Sequence, residues 1–291
     1  MKVLQAVIMG LFQGISEFLP VSSSGHLAVF KVLLGYESDT GVLFDVLLHF
    51  ATLISICGVF YKDIIRLATE LVGMVSDIFS NAIAFSKSLS DNNTPKYRKI
   101  IRSAYRKFVL LILISTIPTA VLGFVLRGVV EFSSSNLLIV GICLIGTGLC
   151  LLLSDYLNIS EKRLNESNYG DAFCIGCVQG AATLPGLSRS GTTITAALLC
   201  GFDRKFAAKY SFIMSIPAVF GALILELSEI GKETVTGSDV GCFILGMVIA
   251  TVVGFFALKI TMKMVVSKYF KYFSFYCFGI GVISIIIHFV K

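Results

Sequence analysis

The sequence predicts an all-α polytopic membrane protein with six transmembrane helices and two re-entrant helical hairpins arranged as an inverted repeat. Three observations predict it. The 291 residues are 56% hydrophobic and only 14% charged, where a soluble domain carries about a quarter charged residues, and the mean hydropathy is +0.87. Several apolar runs reach the roughly 20 residues needed to cross a bilayer. Finally, two distant stretches share one design: residues 13–26, QGISEFLPVSSSGH, and residues 179–193, QGAATLPGLSRSGTT. Each runs from a Gln-Gly pair through a proline to a hydroxyl cluster and a Ser-Gly pair, over the same interval.

Residues 3–18 and 27–34 are too short to span comfortably. Joined by a Pro/Ser/Gly loop, they read as a re-entrant hairpin, because irregular backbone at membrane depth is tolerated only where protein buries it or it lines a wet cavity. Lys2 and the apolar run after it resemble a signal peptide, but Glu17 interrupts the run and no small-x-small site follows. This segment therefore reads as mature helix. Residues 42–61 form the first full span. Residues 62–107 alternate apolar and polar side chains, which predicts an interfacial amphipathic helix followed by the polar loop DNNTPKYRK. Spans follow at about 108–127 and 136–154. A second half-helix pair, 172–184 and 192–200, flanks PGLSRSG, and the last spans lie near 206–228, 239–262 and 271–290. The chain thus reads as one integral-membrane domain, 1–291, with halves of about 1–155 and 170–291. Each half holds one hairpin and three spans. Three is odd, so the second half inserts upside down, as in inverted repeats whose broken helices meet near the midplane.

Orientation follows from Lys and Arg. One side receives Lys96, Arg98, Lys99, Arg102, Arg106 and Lys107, then Lys162, Arg163, Arg204 and Lys205, then Lys263, Lys268 and Lys271. The other receives Glu37, Asp39, Glu131, Glu229, Glu233 and Asp239. The basic side is cytoplasmic, so both termini and the mouth of the first hairpin face out. The formal charge of +6 is a topology signal, and with no base-reading motif beside it no nucleic-acid partner is expected. Most of the eight cysteines are scattered in apolar runs and read as small hydrophobes. Cys174 and Cys177 form a CxxC, but without a second CxxC or nearby histidines it reads as helix packing. Trp is absent, leaving Tyr to serve the interfacial belt.

The two hairpins carry the chemistry. Gln13 and Glu17 are four apart and share a helix face. A lone carboxylate at membrane depth costs roughly 3 kcal/mol; Glu17 either merely pairs with a base there or stands at a polar cavity, holding a cation or acting as acid or base. Ser22, Ser23 and Ser24 precede a half-helix; one serine can cap it, and its free N–H groups favour an anion. His26 is a candidate acid or base near neutral pH, with packing an equal reading. Arg189, amid Ser188, Ser190, Thr192 and Thr193 at a helix start, makes a phosphate cradle, since a guanidinium offers a fixed donor fork. Asp45 and His49 share a face near the outer end of the first span, where a polar network or a role supporting the site's residues is as open a reading as catalysis. His288 reads as interfacial and Glu226 as a partner for a neighbouring helix.

These residues resemble a known family. QGISEFLPVSSSGH and PGLSRSGTT are similar to the two signatures of the undecaprenyl-diphosphate phosphatases, also called bacitracin-resistance proteins, and the resemblance extends through FDVLLHFATLI and AAKYSFIMSIPAVFGA. It implies a bacterial plasma-membrane hydrolase that converts undecaprenyl diphosphate to the monophosphate and inorganic phosphate at a site opening to the outer face. That activity recycles the lipid carrier of cell-wall synthesis and lowers sensitivity to bacitracin. The family's catalytic residues fall on Glu17, Ser23, His26 and Arg189, and its divalent cation, Mg²⁺ or Ca²⁺, falls to Glu17 with Gln13. Ser22, Ser24, Ser188, Ser190, Thr192 and Thr193 complete the substrate-binding set. The family motif allows Glu or Gln at position 13; Gln13 offers a carbonyl but no charge, so a shared Mg²⁺ is expected rather than an all-protein cage. Either Ser23 attacks with His26 as base, or His26 or Glu17 activates a water. The expected partners are a polyprenyl diphosphate, membrane lipids and a second copy in a homodimer. The alternative is an inverted-repeat secondary transporter or polyprenyl-lipid flippase. A second superfamily of membrane lipid phosphatases is excluded, because it needs a histidine after its Ser-Arg motif and none lies between His49 and His288.

Overall fold

A computed structural model describes residues 3–34, 41–91, 96–157, 162–229 and 237–290. Glu37, Asp39, Glu233, most of the segment 229–238 expected to face out, and the side chain of Glu226 lie outside the described residues. Twelve α-helices follow in order: α1 Val3–Ser16, α2 Ser23–Leu34, α3 Gly41–Val59, α4 Tyr61–Asp91, α5 Ala104–Val125, α6 Arg127–Ser134, α7 Leu137–Tyr156, α8 Tyr169–Ala181, α9 Arg189–Leu199, α10 Arg204–Glu229, α11 Gly237–Val266 and α12 Phe270–Val290. Among the described residues no β-strand forms, and Lys162 and Phe202 make an isolated bridge.

Among the described residues six helices are long and apolar enough to cross a membrane: Tyr61–Ser88, Ala104–Val125, Leu137–Tyr156, Arg204–Leu225, Asp239–Val266 and Phe270–Val290. The protein is a multi-pass, all-α membrane protein, but the membership of the six differs from expectation at one point. Residues 62–88, read as interfacial, belong to a 31-residue helix, whereas the expected first span contains the shorter apolar helix Leu43–Val59. The physical reason lies in the partners of the α4 acids. Asp63, Glu70 and Asp77 recur every seventh residue on a face turned toward the protein. Asp63 accepts from Lys209 Nζ at 2.9 Å and from the Tyr105 hydroxyl at 2.8 Å. Glu70 and Asp77 accept from the buried Arg106 at 2.8 and 2.6 Å. An apolar stripe, Ile65, Val72 and Phe79, is left exposed. Without those bases the same alternation looks like a helix lying on a surface.

The half-helices α1, α2, α8 and α9 hold 14, 12, 13 and 11 residues. At 1.5 Å per residue each spans about 16–21 Å, short of a roughly 30 Å hydrocarbon core. Their packing is reciprocal: α1 lies on α11 and α8 lies on α5, so each of these short helices docks on a long helix distant in the sequence. Glycines permit the close approach in both places. A Cβ at Gly10 or Gly14 would stand 2.6 Å or 2.9 Å from the carbonyl oxygens of Gly246 and Ala250 on α11. One at Gly180 would stand 2.6 Å from Leu122 Cβ on α5. Small residues at such spacing let backbones meet where no hydrophobic drive between helices exists. The pairing of α7 with α12 closes the arrangement.

Candidate functional site

The site is built where the two hairpins turn. In the second, Ser188 is the N-cap of α9 and its Oγ accepts from Gly191 N at 3.2 Å. Ser188 Oγ lies 3.4 Å from Ser190 Oγ, and Thr192 Oγ1 donates to the Ser188 carbonyl at 2.8 Å. The first hairpin repeats this pattern. Ser22 Oγ accepts from Gly25 N at 3.3 Å and lies 3.4 Å from Ser24 Oγ. His26 Nδ1 meets the Ser22 carbonyl at 2.8 Å. Counted from Gln13 and Gln179, these are corresponding positions, so the serines and threonines of the sequence pattern largely build the helix starts. The turns differ in strain: Ser22 has φ +67°, a costly region for a residue with a Cβ, whereas Ser188 has φ −74°.

The second turn is pinned from α7. Thr147 Oγ1 donates to the Gly186 carbonyl at 2.9 Å and accepts from Ser188 N at 2.9 Å. Gly186 has φ +96°, which explains the glycine after Pro185. The turns then cross: a Cβ at Gly25 would lie 2.8 Å from Gly186 Cα, and one at Gly191 would lie 3.3 Å from Pro20 Cβ.

The crossing brings position 23 of one hairpin and position 189 of the other to the same carboxylate. Arg189 donates from a terminal guanidinium nitrogen to Glu17 Oε1. Ser23 Oγ donates to Glu17 Oε2 at 3.2 Å, and Gln13 Nε2 donates to the same oxygen at 3.0 Å. Glu17 keeps 6% of its side chain exposed and Arg189 29%. Beside this pair a small cavity is lined by Phe18, Ile56, Ser190, Ser211, Phe212 and Ser215. Thr193 Oγ1 lies 2.5 Å from Ser211 Oγ and donates to the Arg189 carbonyl at 2.6 Å.

Gln13, Glu17, Ser23 and Arg189, separated in the sequence, therefore converge. His26 turns elsewhere. Its Nδ1 is engaged by the Ser22 carbonyl and its Nε2 by the Tyr276 hydroxyl of α12 at 2.8 Å, with the rings stacked. A carbonyl only accepts, so Nδ1 carries the proton and Nε2 accepts from Tyr276. Three neighbours escaped the sequence reading: Tyr276, Ser211 and Ser215. The signal for the serines was their four-residue spacing in SFIMS; Tyr276 had none. His49 was a candidate without a site, and its ring now stands beside Gln13 and Glu17. Gln179, the counterpart of Gln13, is buried against Thr119 at 3.2 Å, away from this carboxylate. Cys174 and Cys177 are free thiols, and His288 stacks edge-on with Phe289.

The donor set decides how a cation would fit. Among the described residues no group of three His, Cys, Asp or Glu side chains could hold a metal ion. One carboxylate with an amide carbonyl and a hydroxyl fits a Mg²⁺ shared with phosphate oxygens and waters, the usual habit of that ion. It does not make the larger oxygen cage of an all-protein Ca²⁺ site.

Comparison with known proteins identifies the family. The family model described as bacitracin resistance protein BacA matches residues 6–283. A protein of Methanosphaera stadtmanae named undecaprenyl-diphosphatase is 36% identical over 99% of this chain and 98% of its own length. Proteins of the same name from Alkaliphilus metalliredigens and Halothermothrix orenii are 34% and 36% identical, covering 98% and 99% of this chain and 98% of their own lengths.

Proposed function

Because the chain belongs to the bacitracin resistance protein BacA family, we infer that it hydrolyses undecaprenyl diphosphate to undecaprenyl phosphate and inorganic phosphate, returning the lipid carrier of cell-wall synthesis to use. The observation that carries this reading is the meeting of Arg189 with Glu17 across the two hairpins. A guanidinium fork, a carboxylate, a hydroxyl and two helix starts at one point are what phosphoryl transfer from a diphosphate requires.

In the proposed mechanism Arg189 leaves Glu17 and grips the terminal phosphoryl group with two parallel N–H donors. The N–H groups at the start of α9 add positive potential. Ser23 Oγ, or a water held at its place, attacks the terminal phosphorus. Glu17, which already accepts from Ser23, takes the proton. The bond from phosphorus to the bridging oxygen breaks, and the lipid monophosphate leaves. Where water attacks, inorganic phosphate forms at once; where Ser23 attacks, a water then cleaves the bond from Oγ to phosphorus, Glu17 returns the proton to Ser23, and inorganic phosphate is released. His26 holds the first turn of α2 through Ser22 and acts on the attacking group only indirectly. Glu17 would hold the divalent cation, with the Gln13 carbonyl joining through a water while its amide nitrogen stays on Glu17; the cation would supply neutralisation of the diphosphate charge. The reciprocal docking of α1 on α11 and α8 on α5 supports reading 1–155 and 170–291 as the halves of an inverted repeat. The Lys and Arg distribution supports a plasma-membrane orientation with the site open to the outer face.

The test is direct. Purified protein in detergent releases phosphate from a polyprenyl diphosphate, and a chelator stops it. A transporter or flippase releases none. For orientation, a single cysteine at position 238 on a background lacking native cysteines is labelled by an impermeant maleimide in intact cells. Labelling only after permeabilisation would invert the topology.

A further inference from the structure

His49 lies in α3, outside both hairpins, yet it reaches the centre of the site. Its Nδ1 stands 3.0 Å from Gln13 Nε2 and 3.4 Å from Glu17 Oε2. With the bond from Gln13 to Glu17 at 3.0 Å, the three side chains close a triangle. The carboxylate only accepts, so the Gln13 atom facing it is the nitrogen. That nitrogen's second hydrogen points to His49 Nδ1, which accepts it. His49 thereby fixes which way the Gln13 amide is turned, and the amide in turn holds Oε2 of Glu17 in place. Without His49 the second amide hydrogen loses its acceptor, and the amide can swing about its single hydrogen bond to Glu17.

We propose that His49 is a positioning residue of the active site, orienting Gln13 and Glu17 toward the diphosphate head group. The inference rests on the phosphatase reading above. Its content is that α3, through His49, steadies the Gln13 amide of α1 that holds Glu17, while Arg189 and Ser23 approach from the hairpin turns. The ring is 40% exposed, so its role is directional and not that of a packed core residue. Residues that orient a functional carboxylate typically cost about 10- to 100-fold in activity when lost.

The experiment compares His49→Phe, which keeps a flat ring without nitrogens, with His49→Gln, which restores an acceptor at comparable reach. The readout is kcat and KM for phosphate release from a polyprenyl diphosphate, with monodispersity and Tm as controls for folding. His49→Phe is expected to lower kcat about 10- to 100-fold with little change in KM, and His49→Gln to recover most of it. In a Gln13→Ala background, His49→Phe should add less than about twofold, because coupled groups are non-additive. A His49→Phe protein at the wild-type rate overturns the proposal. So does a folded His49→Gln protein as defective as His49→Phe, or a full His49 effect surviving in Gln13→Ala. A wild-type protein that releases no phosphate instead sinks the phosphatase reading, and is recognised by failure before any substitution is made.

Discussion

Arg189, the first residue of α9, donates to Oε1 of Glu17 just beyond the end of α1. Two residues far apart in the chain thus form a mostly buried ion pair at the crossing of two turns. Removing one partner of such a pair leaves the other uncompensated, at about 3–5 kcal/mol. Truncations therefore confound folding with chemistry, and isosteric changes are the cleaner probes.

Glu17→Gln and Arg189→Lys should each lower phosphate release by at least about 100-fold, the scale for losing one preorganised charge donor. The double variant should be little worse than either single one, since members of a catalytic unit do not add. Steady-state phosphate release on monodisperse protein measures this. An active Arg189→Lys enzyme would show that charge alone suffices without the two-pronged grip.

Gln13→Glu places a second carboxylate where an amide now donates to Glu17 at 3.0 Å. Two carboxylates at that separation repel unless a cation lies between them. Activity should persist at saturating Mg²⁺ and fall more steeply than in the wild type as free Mg²⁺ is lowered. Titrating phosphate release against free Mg²⁺ checks this, and a variant less dependent on the cation than the wild type refutes it.

His26→Thr should retain activity within about tenfold, the lower range for a displaced orienting residue. Thr192 already makes the corresponding bond at 2.8 Å in the second hairpin, so a threonine hydroxyl can replace Nδ1 on Ser22. Tyr276→Phe should have an effect no larger. If His26→Thr is instead as inactive as Glu17→Gln, the imidazole takes part in the chemistry.

Gly14→Val and Gly180→Val should destabilise the protein by about 1–3 kcal/mol or more through overpacking against α11 and α5. Thermal unfolding in detergent reads this. Gly128→Ala, where an added Cβ meets nothing within 4 Å, should leave Tm nearly unchanged.

The sequence by itself determined the class of the protein and most of its machinery. Apolar runs of bilayer length are a local property, and so are the short half-helices with their proline and serine breaks. The fork of Arg189, the carboxylate of Glu17 and the serine cap of each helix could be read from residue type and spacing, because capping and charge recognition act within a turn or two. Only the tertiary structure decided which side chains share a carboxylate. Ser23 reaches Glu17 while His26, three residues later, faces Tyr276, because the Ser22 carbonyl holds one edge of the imidazole and α12 packs against the other. His49 enters through the docking of α3 beside α1, a contact with no signature in either segment. The inward acidic face of α4 was likewise invisible, since an acid reads as solvent-facing until Arg106 and Lys209 are brought to it from other helices. Local physics is written residue by residue along the chain. Pairings between distant helices depend on packing that no single stretch encodes.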